Sequence, residues 1–357
     1  MDDREDDSLF RSLPVPDAGE QPSPRLVTRT LLGAALGLIL VVAVSRGIDR
    51  DTVWTDLRNA DGLWVGLALM TVLATTAIKV WRWQWLFSDL SRPGLLQLGS
   101  ALLVGQMLNA ILPARLGDLA RAHLGAHAGP ASTATALGTI AAEKAFDVLF
   151  LLVCAGLTAL VTSLPRWLDA SLALTAALGG TILVIAMVLP EERVLGRIER
   201  KIHPSATPSP ARRPGRVRTL SAHGAQRLLA AVRRGLIGLE ALRRPRKALA
   251  VCAWSVPIWA LAAATNYVLF RAFDLKLSVG AALSLLTLLH VGMAPPSSPG
   301  RLGVFHALTV VTLQAFDVDR TSGLAYATVL HAVVYGPQVA LGALAVTMSR
   351  GLGWRRR

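Results

Sequence analysis

"GLLQLGSALLVGQMLNAILPARLGDLAR" occupies residues 94–121, and the fold turns on whether its first part crosses a membrane or doubles back. Residues 94–112 are apolar, yet they carry Gln97, Gln106, Asn109 and three glycines. Pro113 then removes a backbone donor, and Pro113 and Gly117 bracket an arginine, Arg115. The pattern Pro-x-Arg-Leu-Gly returns at 299–303, again behind an apolar run.

The surroundings fix the class. The chain has 357 residues, is 53% hydrophobic and has a mean hydropathy of +0.48. Apolar runs at about 27–45, 62–87, 131–163, 168–189, 248–270 and 323–348 each suit a ~30 Å hydrocarbon core. Helices satisfy their own backbone in lipid, so the expectation is an all-α, polytopic integral membrane protein. The net charge of +14 gathers between apolar runs and at the C-terminus, as expected of cytoplasmic loops. No nucleic-acid module is visible, and no nucleic-acid partner is expected. The acidic start, "MDDREDDSLF", does not read as a signal peptide. Cys154 and Cys252 both lie in apolar runs and read as packing residues.

Five segments follow. Residues 1–26 form an acidic tail expected to be disordered, and 27–189 a first membrane half. Residues 190–247 form a basic cytoplasmic linker with 15 Lys/Arg against four Glu, its second part patterned as an amphipathic surface helix. A second membrane half, 248–349, and a basic tail, 350–357, complete the chain. In "IKVWRWQWLF" (78–87), Lys79, Arg82 and three tryptophans read as an interfacial belt.

Parity decides the hairpins. If 94–112 spans, the basic linker falls outside, against the charge rule. If 94–112 turns back at Pro113, and 279–316 turns back near Pro295–Pro299, the linker and both termini fall inside. The expected architecture is therefore an inverted repeat with two opposed re-entrant helical hairpins, a plan that places a substrate site near the bilayer midplane. The breaks are Pro113 and Gly117 in one half and Pro299, Gly300 and Gly303 in the other.

An arginine near the bilayer centre costs about 2.5–3.5 kcal/mol on insertion scales and is normally paired or functional. Arg115, Asp118 and Arg121 stand at i, i+3 and i+6; Glu143 and Asp147 follow at i and i+4, with Lys144 beside them. Arg115, Arg121 and Lys144 oppose Asp118, Glu143 and Asp147, so the first-half cluster reads as a charge network that can neutralise itself. Arg301 has no carboxylate in its own hairpin, only His290 and His306. It either binds an anion, with Ser297, Ser298 and free backbone N–H groups, or pairs with the first-half carboxylates. A guanidinium fork suits phosphate. His331 and Tyr335 read as a packed polar pair or a proton relay. "HLGAH" (123–127), expected in a loop, lacks the glutamate of a metalloprotease motif, and no metal or other cofactor is expected. No nucleophile elbow or phosphate-binding glycine loop appears, so the chain is not expected to be an enzyme.

"GQMLNAILPARLGDLARAHL" (105–124), "EKAFD" (143–147), "LRRPRKALAVCAWSVPIWALAAATNYVLFRAF" (242–273) and "MAPPSSPGRLGVFHAL" (293–308) resemble blocks of the lysylphosphatidylglycerol synthase transmembrane-region, flippase-like family. The resemblance covers about residues 30–349. It implies a membrane domain that moves an anionic lipid between leaflets, with functional positions at Asn109, Arg115, Asp118, Arg121, Glu143, Asp147, Pro299, Gly300, Gly303 and His306. Many members carry a glutamate where this chain has His306. The aminoacyl-transferase domain of two-part synthases is not expected. The resulting expectation is a flippase of the cytoplasmic membrane for an anionic phospholipid or a polyprenyl-phosphate-linked intermediate. Arg115, Arg301, Asn109, Arg121, His306 and Ser298 would bind the headgroup. The alternative is a non-catalytic scaffold for an envelope glycosyltransferase or lipid-modifying enzyme.

Overall fold

The computed structural model of the chain describes residues 48–87, 93–112, 116–129, 131–161, 244–293 and 299–349, together with positions 35, 37–40, 42–43, 46 and 238. The expected acidic tail, the span at 168–189, most of the span at 27–45 and of the linker with its amphipathic helix, and the basic tail lie outside these residues. So do Pro113, Arg115, Ser297 and Ser298.

Among the described residues the fold is all-helical, without a strand. Helix α1 (Arg50–Asn59) is short and polar. Asp49 caps it, with Oδ1 accepting from the Asp51 N–H at 3.1 Å and Oδ2 from the Thr52 hydroxyl at 2.7 Å. Among the described residues four helices are long and apolar enough to cross a membrane: α2 (Gly62–Leu86), α5 (Thr133–Val161), α6 (Pro245–Ala272) and α9 (Arg320–Ser349). At 25 to 30 residues they measure about 38–45 Å. Between them stand α3 (Leu95–Ile111), α4 (Leu116–His127), α7 (Val279–Gly292) and α8 (Val304–Gln314). The longest of these, α3, has 17 residues and reaches about 26 Å, short of the hydrocarbon core.

Helices α2 and α6 pack antiparallel. Thr71 meets Thr265 at 2.8 Å, Trp81 meets Trp254 at 5.6 Å, and Arg82 meets Ser255 at 3.0 Å. As numbers rise on one helix they fall on the other. At one end of the pair the Asp61 N–H bonds the Ala272 carbonyl at 2.9 Å.

The other end holds the base of the first hairpin. Gln84 reaches the Pro93 carbonyl at 2.9 Å, α3 departs, and α4 returns until Gly129 lies against Pro93. The arms run antiparallel, with Gly105 on Arg121 and Asn109 on Gly117. Trp83 Nε1 then bonds Thr139 Oγ1 at 3.0 Å, which places the start of α5 at the same end. Helices α3 and α4 thus form an antiparallel pair; Pro113, where the turn back was expected, lies outside the described residues. The segment 123–127, expected as a loop, is instead the last turns of α4.

Close approach of the arms requires glycine. A Cβ on Gly117 would lie 2.7 Å from the Asn109 nitrogen and would also strike the Gly105 carbonyl. Overpacking of this kind costs about 1–3 kcal/mol. Gly117→Ala should lower the thermal unfolding midpoint in detergent accordingly, whereas Gly156→Ala, with open space around it, should not.

The second hairpin starts from the Ala272 end. Asn266 Nδ2 bonds the Ala282 carbonyl at 3.2 Å, and Tyr326 at the start of α9 bonds the Asn266 carbonyl at 3.1 Å. Helices α7 and α8 fold onto each other with Gly292 against Leu308. The two tips meet: a Cβ built on Gly300 would stand 3.8 Å from the Ala110 carbonyl oxygen. Contacts cross between halves, with α3 on α9 and α7 on α5.

Among the described residues two large apolar clusters result, beside a smaller one of Cys154, Ile258, Trp259, Ala263 and Leu286. One gathers Trp83, Leu98, Leu102, Ile140 and Phe146 around the first hairpin. The other gathers Phe270, Leu285, Phe305, Leu313 and Tyr326 around the second. Both cysteines are free, with Cys154 buried and Cys252 partly so.

Candidate functional site

The first hairpin is held by charge. Arg121 on α4 forks onto Glu143 on α5, with Nη1–Oε1 at 3.2 Å and Nη2–Oε2 at 2.6 Å. Its guanidinium lies 3.9 Å from the Trp83 ring centroid, a stacked cation–π contact. Arg82 supplies the second cation. Its Nη1 donates to Asp147 Oδ1 at 2.8 Å and to Ser255 Oγ at 3.0 Å, and its Nη2 stands 3.4 Å from Glu143 Oε1. Arg82 is 0% exposed, Glu143 3% and Arg121 4%. Two guanidiniums thus meet two carboxylates in an apolar bundle, the pairing that burial of charge demands.

Arg82 and Trp83 were expected in an interfacial belt. The structure corrects this: both are fully buried, and only Trp81 and Trp85 face outward. The sequence count already balanced Arg115, Arg121 and Lys144 against three acids, so no missing charge pointed to Arg82. Lys144, expected within the network, is exposed. Asp118 faces α3 instead, accepting from Asn109 Nδ2 at 3.0 Å and tying the two arms together. Asn109 Oδ1 and Gln106 Oε1, one turn apart, are buried acceptors without a partner.

The second motif is built differently. Gly300 has φ +67°, Arg301 +56° and Gly303 +85°. Glycine adopts such angles freely, but a residue with a Cβ pays about 1–2 kcal/mol. Arg301 is held by its Nη1, which donates to Tyr335 OH at 3.1 Å and to Met293 Sδ at 3.8 Å. Among the described residues no carboxylate lies within 4 Å of it. The alternative of pairing with the first-half carboxylates is not seen among the described residues: Arg82 and Arg121 hold Glu143 and Asp147, and Asn109 holds Asp118.

His331 Nε2 donates to the Gly300 carbonyl at 2.9 Å, so His331 and Tyr335 of α9 support adjacent residues of the break. Neither contact was foreseen, although the pair's spacing was. His306, in the first turn of α8, stacks 5.2 Å from His331, and its Nδ1 is buried without a partner. Helix α8 has no side-chain N-cap, and its N-cap residue, Gly303, lies against the backbone of Gly37.

Among the described residues, the chain therefore joins one hairpin whose buried guanidiniums meet carboxylates to another whose arginine meets none. No curated protein and no solved structure matches the chain. Residues 30–342 match the model of one family, described as lysylphosphatidylglycerol synthase TM region. With four apolar spans and a match over most of its length, this multi-pass membrane protein belongs to the lysylphosphatidylglycerol synthase transmembrane-region family.

Proposed function

We propose that the chain moves an anionic phospholipid or a polyprenyl-phosphate-linked intermediate between leaflets of the cytoplasmic membrane, without hydrolysing a nucleotide itself. The observation that carries this is Arg301, a strained cation of the bundle with no carboxylate within 4 Å among the described residues. Arg301, His306 and the uncapped start of α8 belong to one break, and a guanidinium beside a helix N-terminus suits a phosphate. The described interior and its edges hold six cations, Lys79, Arg82, Arg121, Lys144, Lys247 and Arg301, against Asp118, Glu143 and Asp147. That excess also suits a negative headgroup. In this reading Arg115 and Ser298 receive the headgroup with Arg301, whereas Arg121 and Asn109 act as frame.

The contact pattern supports an inverted repeat. Exchanging α2 with α6, α3–α4 with α7–α8, and α5 with α9 maps the principal helix contacts onto one another. The hairpins enter from opposite ends of the α2–α6 pair, which makes them re-entrant when the bundle sits in a bilayer. The basic linker joins α6 at the first hairpin's base and assigns that end to the cytoplasm. The cargo's chains would stay in lipid while its headgroup passed between the breaks. The scaffold alternative depends on the 217–247 region and has no structural observation behind it.

The test is lipid mass spectrometry of protein in native nanodiscs, with an Arg115→Ala/Arg301→Ala double variant and Lys144→Ala beside it. Selective retention of one anionic lipid class should survive Lys144→Ala and vanish in the double variant. Equal bulk lipid in all samples would remove the reading.

A further inference from the structure

The second break gathers titratable groups on segments that contain no acid. From 279 to 316 and again from 320 to 349 the sequence holds neither Asp nor Glu. These stretches supply α7, the break, α8 and α9, and α8, which carries His306, packs on α7 and α9. His306 stacks on His331 of α9 with ring centroids 5.2 Å apart, and His331 on Tyr335 at 4.7 Å. His331 Nε2 holds the Gly300 carbonyl at 2.9 Å, and Tyr335 OH accepts from Arg301 at 3.1 Å. Two imidazoles, a phenol and a guanidinium thus form one chain of contacts, each partly exposed.

The other titratable groups on these elements are engaged elsewhere. His290 on α7 bonds the Leu286 carbonyl and packs on Trp259. On α9, Tyr326 bonds the Asn266 carbonyl and Arg320 the Ala43 carbonyl. Helix α3, which meets the break, carries no titratable residue. Nor do positions 35, 37–40 and 42–43 of the first span, which reaches Gly303 through Gly37. His306 Nδ1 is buried without a partner, so the ring can take a proton without breaking a bond there. An imidazolium beside Arg301 would have no carboxylate on these segments to balance it, and unpaired charge in an apolar bundle is costly. A phosphate oxyanion at Arg301 supplies the missing counter-charge. The anion therefore favours the proton and, by reciprocity, the proton favours the anion. With one of each bound, the break carries the same net charge loaded as empty.

Resting on the translocase reading, we propose that His306 couples lipid transfer to protons. One proton from the water on one side binds the imidazole as one phosphodiester headgroup binds Arg301, and both leave on the other side. The site stays in place while access to it alternates. Headgroup and proton are neutral as a pair, so a pH gradient drives transfer and a membrane potential alone does not. His331 supports the break through Gly300 and keeps the His306 ring beside it.

The experiment follows two labelled probes in proteoliposomes, a phosphatidylglycerol and a prenyl phosphosugar, both phosphodiesters whose single charge does not titrate near neutral pH. A pH gradient is imposed with the potential clamped, and separately a potential without a gradient. Under a gradient of about one pH unit the wild type should concentrate the probe it moves about tenfold in the leaflet facing the alkaline side, the limit for one proton per lipid. Potential alone should leave that probe evenly distributed. His306→Gln should transfer more slowly and reach an even distribution whatever the gradient. His331→Gln, which keeps a donor for the Gly300 carbonyl, should slow transfer yet keep the accumulation, separating the proton site from its support. A pH dye in the lumen should record one proton per lipid moved by the wild type, a readout that needs no variant. An even wild-type distribution under the gradient, accumulation that survives His306→Gln, or accumulation under potential alone would each overturn the coupling and leave the translocase reading intact. Transfer of neither probe beyond that in empty liposomes would overturn both.

Discussion

Replacing Glu143 by glutamine should destabilise the folded protein by about 3–5 kcal/mol, the usual cost of removing one partner from a buried ion pair. Glu143 accepts both η nitrogens of Arg121 and lies 3.4 Å from an η nitrogen of Arg82. A glutamine oxygen can serve one of those donors, and its amide nitrogen would face the others. In a lipid-immersed bundle no water relieves the remainder. Asp147→Asn should cost less, because Asp147 is partly exposed and Arg82 keeps Ser255. A double variant, Glu143→Gln with Arg121→Met, should recover much of the loss, since no buried guanidinium on α4 is then left unpaired. Thermal unfolding in detergent measures all three. The series also decides between the two roles open to the first-half charges. Wild-type stability with lost lipid transfer in Glu143→Gln would make the carboxylate part of the passage rather than the frame.

The architecture was legible wherever a local rule met a global count. Length and hydropathy located α2, α5, α6 and α9, because a span must be apolar throughout. The expectation that the chain doubles back after 94–112 drew on proline's missing donor and the placement of the basic linker, and α3 and α4 pack antiparallel with Gly105 against Arg121. Helix α1 escaped notice because it is polar and short, held by the Asp49 cap and by Ser322, which bonds Asp56 at 2.8 Å.

The site was legible in its residue types more than in its pairings. Arg121 and Glu143 are 22 positions apart on neighbouring helices, and their pairing could be read from charge balance. Arg82 lies 65 positions from Asp147 and 173 from Ser255, so nothing in its own neighbourhood announces either. Its tryptophan neighbours pointed to the wrong environment: alternate positions on one helix face opposite ways, and Trp81 is exposed where Arg82 is buried. The isolation of Arg301 could be read from composition, since its hairpin holds no acid. Its left-handed backbone could not, because Gly300 and Gly303 are the residues that sequence associates with positive φ.

Glycine at Arg301 should separate strain from function. Arg301 pays about 1–2 kcal/mol to hold a Cβ at φ +56°, and glycine removes that cost. The variant also gives up the bond to Tyr335, worth about 1.5–3 kcal/mol gross but offset by releasing a buried guanidinium. Arg301→Gly should therefore unfold within a few degrees of the wild type, while leaflet transfer of an anionic lipid falls about a hundredfold or more, as the loss of two charge-assisted hydrogen bonds implies. Arg301→Lys keeps the charge without the fork and should lose about tenfold. Arg301→Ala keeps the wild-type strain and gives up the Tyr335 bond, so it should be less stable than the glycine variant, with the same loss of transfer. Tyr335→Phe tests the support, leaving the guanidinium in place but less fixed, with a smaller loss than Arg301→Lys. A glycine variant that moves lipid at the wild-type rate would make Arg301 a structural residue. Strain retained at a position where its relief abolishes transfer, with stability nearly unchanged, is instead what a site kept for its ligand would show.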